Sequence, residues 1–140
     1  MTPVGETGAV PTITGFDHVA LTVADLSVSV PFYTALWGLP PVASMNDGSF
    51  RRQVIALPGG TNLGLTEHDR AGAGFDPTAA GLDHIGFAVA DRDELATWVR
   101  HLDGLGIEHS GPVEADYGVA VSFTDPDGVA LELFVGRRAT

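Results

Sequence analysis

The chain contains an internal duplication, and this duplication limits the folds it can adopt. The segment FDHVALTVADL, which begins at Phe16, aligns with LDHIGFAVADR, which begins at Leu82, at a constant shift of 66 residues. The C-terminal ends of the two copies also match, because ALPGGTNLGL from Ala56 aligns with TDPDGVALEL from Thr124 at a shift of 68 residues. A repeat of this length predicts two copies of one supersecondary unit that pack together.

Each copy follows the same predicted order of elements. An alternating apolar run predicts a first strand, and an Asp then precedes a helical stretch. We expect the first helix to begin near Ser27–Pro31, because Pro is tolerated in an opening turn, and to end at Leu36. In the second copy, Asp91 and Glu94 have the spacing of a capping box. Three more strands, separated by turn sequences rich in Gly and Asp, complete each copy. The sequence thus predicts an α+β fold of two tandem βαβββ modules.

The repeat also defines the expected domain organisation. A length of 140 residues suits one domain. Residues 1–15 lack helical or strand periodicity and predict a flexible N-terminal arm, and residues 16–140 then form a single domain. Within it, module one covers 16–67 and module two covers 82–135, joined by a Gly- and Ala-rich linker at 68–81.

Charge and composition exclude several classes of partner. The chain has 18 acidic and 7 basic residues, a formal net charge of −11, and no cysteine. This balance argues against nucleic acid and anionic membranes as partners, because both require a basic surface. No secretory signal and no run of about 18 apolar residues is present, so we expect a cytoplasmic protein without a membrane span. The absence of cysteine excludes disulfides and thiolate metal ligands.

Strand alternation places three candidate ligands on one type of sheet face. His18 shares a face with Ala20, and His84 shares the equivalent face with Gly86. The larger apolar residues between them point the other way, towards the predicted helices. In the last strand, Glu132 lies between two leucines and falls on the same face as the histidines. Small neighbours on this face predict an open cleft.

Two imidazoles and a carboxylate on one cleft form a typical ligand set for a divalent metal with open coordination positions. A carboxylate within an apolar strand is also costly unless a charge or metal pairs with it. We therefore predict His18, His84 and Glu132 as metal ligands, with Gly64 leaving the fourth symmetric position vacant. Fe(II) suits this set best, and Mn, Zn and Ni are alternatives. Each histidine could instead be an ordinary strand residue.

At these residues the sequence resembles the vicinal oxygen chelate superfamily, which includes glyoxalase I, extradiol ring-cleaving dioxygenases, fosfomycin-resistance enzymes and bleomycin-binding proteins. The resemblance rests on DHVALTVADL from Asp17, the Phe-Tyr pair at Tyr33, and DPDGVALEL from Asp125. It implies a curved mixed-sheet cup around a metal, with the helices on the outer face. It also implies a homodimer, because small members often complete the cup between two chains. Gly64 departs from the four-ligand pattern of glyoxalase I.

Three functional hypotheses follow. The leading one is a metal-dependent enzyme on a small oxygen-rich molecule, with an extradiol-type dioxygenase as the favoured reaction. The second is a glyoxalase-like lyase or isomerase, or a fosfomycin-type thiol transferase. The third is a non-catalytic protein that binds a drug or metabolite.

The sequence gives only candidates for the remaining site residues. Tyr117, His68 and His109 are candidates for the acid/base group, although each could be an ordinary loop residue. Arg51 or Arg52 is a candidate for binding a substrate anion, because strand alternation sends one of the two into the cleft.

Overall fold

Each copy of the repeat folds into one strand, one helix and three further strands. The computed structural model describes residues 9–70 and 72–137. Module one contains β1 (His18–Thr22), α1 (Leu26–Trp37), β2 (Ala43–Asn46), β3 (Phe50–Ala56) and β4 (Asn62–His68). Module two contains β5 (Ile85–Ala88), α2 (Arg92–Gly104), β6 (Val113–Ala115), β7 (Gly118–Thr124) and β8 (Ala130–Gly136). The predicted α+β fold with tandem βαβββ modules is confirmed. Of the predicted N-terminal arm, residues 1–8 lie outside the described residues, and 9–15 form neither helix nor strand.

An aspartate caps the start of each helix. The side chain of Asp25 accepts a hydrogen bond from the backbone N–H of Ser27, and that of Asp91 accepts one from Glu94, as the capping box predicts. The expectation that Pro31 lies in the opening turn is wrong, because α1 begins at Leu26 and Pro31 is its sixth residue. The helix tolerates it there because the carbonyl left without a donor belongs to Ser27, an exposed residue in the first turn. Neither helix of the described ranges is long and apolar enough to cross a membrane.

The strands form two separate four-stranded mixed sheets. Their orders are β1-β4-β3-β2 and β5-β8-β7-β6, so β1 and β5 are edge strands. β1 runs parallel to β4, and β5 runs parallel to β8. Ala20 pairs with Gly64 in the first sheet, and Gly86 pairs with Glu132 in the second. Gly64 and Glu132 are therefore structurally equivalent, as the repeat predicts.

The faces of the two sheets that carry the helices contribute to one continuous apolar core. Leu21 of β1 and Leu131 and Leu133 of β8 are buried in the same cluster. Trp37 of α1 contacts module two directly, with ring centroids 4.6 Å from Phe87 and 5.5 Å from Trp98. The modules thus pack through their helix-bearing sides.

Polar bonds fix this packing in register. The hydroxyl of Tyr33 in α1 donates a 2.8 Å hydrogen bond to Asp125 in the β7–β8 turn, and both residues are buried. The other oxygen of Asp125 accepts from the backbone N–H groups of Asp127 and Val129. Burial raises the pKa of Asp125, although these hydrogen bonds oppose the rise. At the far end of α1, His101 Nε2 lies 3.0 Å from the carbonyl oxygen of Leu36.

We predict that Tyr33→Phe weakens the junction between the modules. The substitution keeps the aromatic packing but removes the hydroxyl donor from a buried carboxylate, which should lower the free energy of unfolding by about 1–3 kcal/mol. Urea unfolding followed by tryptophan fluorescence measures the change. Tyr117→Phe is the matched control, because the Tyr117 side chain is 70 % exposed. Equal stability of the two variants would contradict the prediction.

Candidate metal centre

The face of each sheet opposite its helix is called here the cup face. Strand alternation and the observed register place mainly small, polar and charged residues on it, together with a few apolar side chains such as Val54 and Phe134. The cup face of module one carries His18, Ala20, Thr22, Arg52, Gly64 and Thr66. The cup face of module two carries His84, Gly86, Ala88, Glu132 and Phe134. This is the division of faces that the sequence predicts.

An aspartate orients each of the two histidines. Nδ1 of His18 lies 2.7 Å from the carboxylate of Asp17, and Nδ1 of His84 lies 2.7 Å from that of Asp83. A carboxylate on Nδ1 fixes the ring and makes Nε2 the basic nitrogen, which is a common arrangement around metal-binding histidines. Strand alternation alone does not predict that these aspartates orient the histidines, although the Asp-His pair occurs in both copies of the repeat.

Glu132 lies beside His84 on the cup face of module two. A Cβ atom added to Gly86 would be 3.9 Å from Oε1 of Glu132, so the carboxylate lies over the strand that His84 precedes. The hydrogen bond to Asp83 is the largest cause of the raised pKa of His84; burial opposes the rise, and the charges of Glu132 and Asp83 add to it. Glu132 is half-buried, and no described residue donates a hydrogen bond to its carboxylate. A half-buried carboxylate without a donor is costly, so the carboxylate of Glu132 requires a cationic partner.

The structure brings together two of the three predicted ligands. His84 and Glu132 share the cup face of module two, whereas His18 lies on the other sheet. Within residues 9–70 and 72–137, no group of three or more His, Asp or Glu side chains is placed to hold a metal ion. The nitrogen and oxygen donors of His84 and Glu132 suit a divalent cation, but a complete site needs a donor from outside this cluster.

The three acid/base candidates lie in different places. Tyr117, in the turn before β7, stacks on Phe134 with ring centroids 5.9 Å apart, at the cup face of module two. His68 ends β4 in module one and lies beside Phe50. His109 is outside both cup faces, since its Nε2 lies 2.7 Å from Asp103 and its Nδ1 accepts the N–H of Gly111.

The two candidate arginines point to opposite faces. Arg51 forms an ion pair with Glu67 and lies 3.1 Å from Asp69, away from the cup face. Arg52 lies on the cup face of module one, where its Nε donates a 2.8 Å hydrogen bond to Thr66. Its Cδ would be 3.4 Å from a Cβ added to Gly64. Arg52 therefore covers the vacant position that corresponds to Glu132.

A cavity of about 610 Å³ does not coincide with the ligand cluster. It follows the free edge of β1, since residues from both faces of that strand line it. Phe75 of the linker and Asp127 of the β7–β8 turn form its other walls. An open edge strand beside this cavity leaves the surface next to His18 accessible.

Comparison with known proteins assigns the family. The family model that matches residues 15–133 is that of the Glyoxalase/Bleomycin resistance protein/Dioxygenase superfamily. The chain belongs to this superfamily. The fold is similar to the crystal structure of a glyoxylase/bleomycin resistance protein/dioxygenase domain from Frankia sp. EAN1pec, with a TM-score of 0.83 and 33% sequence identity. The superposition covers 90% of this chain and 100% of the Frankia chain.

Curated relatives of this superfamily member include enzymes of different reaction classes. Glutathione transferase FosA of Serratia marcescens is 31% identical over 123 residues, which cover 88% of this chain and 82% of FosA. A putative ring-cleaving dioxygenase, MhqA of Bacillus subtilis, is 42% identical over 52 residues, which cover 37% of this chain and 16% of MhqA. The family is therefore established, and the reaction is not fixed by it.

We predict that Asp83→Asn lowers the pKa of His84 in the metal-free protein, because it removes the largest cause of the raised value. Glu132→Gln should lower the same pKa by a smaller amount, since Glu132 acts through its charge alone. Titration of the histidine ring protons by NMR measures both changes. Asp17→Asn, the equivalent change in module one, is the control and should leave His84 unaffected. A His84 pKa that is the same in Asp83→Asn and wild type would refute the assigned hydrogen bond.

Proposed function

We propose that this protein is a divalent-metal-dependent enzyme acting on a small oxygen-rich molecule. The observation that carries the proposal is the pair formed by His84, oriented through Nδ1, and Glu132, a half-buried carboxylate with no hydrogen-bond donor among the described residues. His18 has the same orientation through Asp17, which supports a shared role for the two histidines. Fe(II) is our first choice of metal, with Mn, Zn and Ni as alternatives.

We infer that the complete site forms between two copies of the chain. His84 and Glu132 of one copy would meet His18 of a second copy. Two features of the single chain support this arrangement: β1 and β5 are unpaired sheet edges, and the side chain of His18 is 68% exposed. Phe16, two residues before His18, is 85% exposed. Open edges and exposed aromatics are costly unless another surface covers them.

The residues of the chain would divide the work. Asp17 and Asp83 hold the two imidazoles, and Gly86 leaves space for substrate beside Glu132. A bound divalent cation would polarise substrate oxygens and lower the pKa of a hydroxyl. Tyr117 is our proposed acid/base group, because it is the candidate that lies on the cup face of Glu132. The aromatic stack of Tyr117 and Phe134 would also limit water access at that end.

Extradiol-type ring cleavage by dioxygen is the first reaction to test. Two histidines and one carboxylate leave adjacent positions open for a chelating diol and for dioxygen. The vacant position at Gly64 supports three protein donors over the four expected of a glyoxalase-type site.

Thiol transfer is the second candidate reaction, because similarity to a glutathione transferase extends over 82% of that relative. The same three donors would hold a cation that polarises a C–O bond of the substrate, so that a thiolate forms an S–C bond at the carbon while the C–O bond breaks and the released oxygen takes up a proton. The chain contains no lysine, so binding of a phosphonate would fall to an arginine.

We predict that a heterodimer of His18→Ala and Glu132→Ala subunits binds metal, although each homodimer does not. One of the two shared sites in that heterodimer retains all three donors, and the other loses two. Differently tagged subunits, co-expressed and purified through both tags, should hold about half of the wild-type metal by elemental analysis. A site built within one chain would leave the heterodimer empty, and uptake in the Glu132→Ala homodimer would remove Glu132 from the site.

We predict oxygen consumption with catechols in the Fe(II)-loaded protein and its loss in Glu132→Ala. An oxygen electrode measures the rate, and His109→Ala serves as a control that leaves the cup faces intact. Consumption of glutathione in the presence of fosfomycin, with no oxygen uptake, would instead identify the second candidate reaction. Binding of a cationic glycopeptide that persists in chelator, with neither activity, would indicate a non-catalytic binding protein.

A further inference from the structure

The cup face of module one carries a guanidinium group that forms no ion pair with any carboxylate of residues 9–70 and 72–137. We propose that Arg52 forms an oxyanion-binding subsite at the vacant fourth position and that the substrate carries a carboxylate or phosphonate group. This assignment names the substrate class of the proposed metal site and rests on that function for its catalytic meaning. The anion contact itself needs only module one.

The partners of Arg52 are all neutral. Nε donates to the hydroxyl of Thr66, and the guanidinium carbon lies 4.6 Å from the ring centroid of Phe50. No described carboxylate forms an ion pair with it, whereas Arg51 has two such partners and Arg92 binds Glu114. In a chain with a net charge of −11, a half-buried arginine without a carboxylate is unusual and available for an external anion.

Asp47, the acidic group whose pKa the charge of Arg52 helps to lower, is already engaged. The carboxylate of Asp47 accepts hydrogen bonds from the backbone N–H and hydroxyl of Ser49 and from the N–H of Phe50. Those bonds, more than the charge of Arg52, lower the pKa of Asp47. Asp47 therefore closes its own turn and leaves Arg52 without a direct counter-ion.

Two contacts of Arg52 hold its guanidinium in a fixed orientation before an anion binds. The hydrogen bond from Nε and the stacking on Phe50 fix the plane of the group at two points. The two terminal nitrogens have no hydrogen-bond partner among the described residues. Their paired N–H groups match the two oxygens of a carboxylate or phosphonate in a bidentate contact. Fixing the plane beforehand reduces the entropy lost on binding.

Gly64 explains why Arg52 reaches this position. A Cβ atom at Gly64 would lie 3.4 Å from both the Cδ of Arg52 and the Cβ of Ala20. A longer side chain here, such as the glutamate found at the equivalent position in module two, would displace Arg52 or neutralise it. The glycine at this position and the arginine without a carboxylate partner thus go together. Module two carries a carboxylate at this point of its cup face, and module one carries the proposed anion receptor.

The experiment measures anion binding in the presence and absence of metal. Benzoate and phenylphosphonate are titrated into full-length protein labelled with ¹⁵N. NMR follows the backbone amide resonances of the cup face in every variant, and also the side-chain Nε–H resonance of Arg52 where that arginine is present. We expect saturable shifts, and we expect Arg52→Gln to weaken binding by about tenfold or more. Arg51→Gln is the matched control, because that arginine points away from the cup face, and its affinity should match wild type.

The outcomes separate this proposal from the metal site. Anion binding that persists in chelator-treated protein supports the subsite even if no metal binds. Metal uptake without any Arg52-dependent anion binding overturns the subsite and leaves the metal proposal intact. If Arg51→Gln and Arg52→Gln lose the same amount of anion affinity, the binding reflects general surface charge, and the proposed subsite is also overturned. A preference between benzoate and phenylphosphonate assigns the anion as carboxylate or phosphonate.

Discussion

The shared core between the modules is the constraint on which the rest of the structure depends. Both sheets contribute their helix-bearing faces to a single apolar cluster, and the bond from Tyr33 to Asp125 crosses the junction. Because those faces are used to stabilise the fold, the two cup faces point away from the core. Burial of apolar surface is the largest favourable contribution to folding. Packing of the two helix-bearing faces therefore outweighs any tendency of the two cup faces to meet within one chain. The separation of His18 from His84 follows directly.

The duplication supplies two nearly identical scaffolds, and the chemistry lies in their differences. Each module keeps an Asp-His pair at the start of its first strand. At the paired position on the neighbouring strand, module two has Glu132 and module one has Gly64. One scaffold therefore presents a carboxylate, and the other presents the guanidinium of Arg52. Sheet register fixes both positions, so each difference in sequence becomes a difference at a defined point of the cup face.

Much of the fold could be predicted from sequence because period-two alternation and a repeat leave little freedom. Alternation predicts that Glu132 and its leucine neighbours point to opposite faces of the sheet. The repeat predicts that Gly64 and Glu132 are equivalent. Contacts between segments that are distant in sequence could not be predicted from this pattern. Tyr33 aligns with Val99, which indicates an apolar position and hides its bond to Asp125. Similarly, alternation requires one of the two adjacent arginines to face the cup, but only the register of β3 on β4 identifies Arg52.

The placement of His18 on a different sheet from His84 has a consequence for how such a protein responds to its own abundance. In the proposed site between two copies, donors from separate chains would make cation uptake and association mutually dependent, so each would strengthen the other by mass action. Dilution would then empty the site even when the cation is plentiful, and the expression level would control its occupancy. A monomeric pool would act as an inert reserve that is recruited when the chain accumulates.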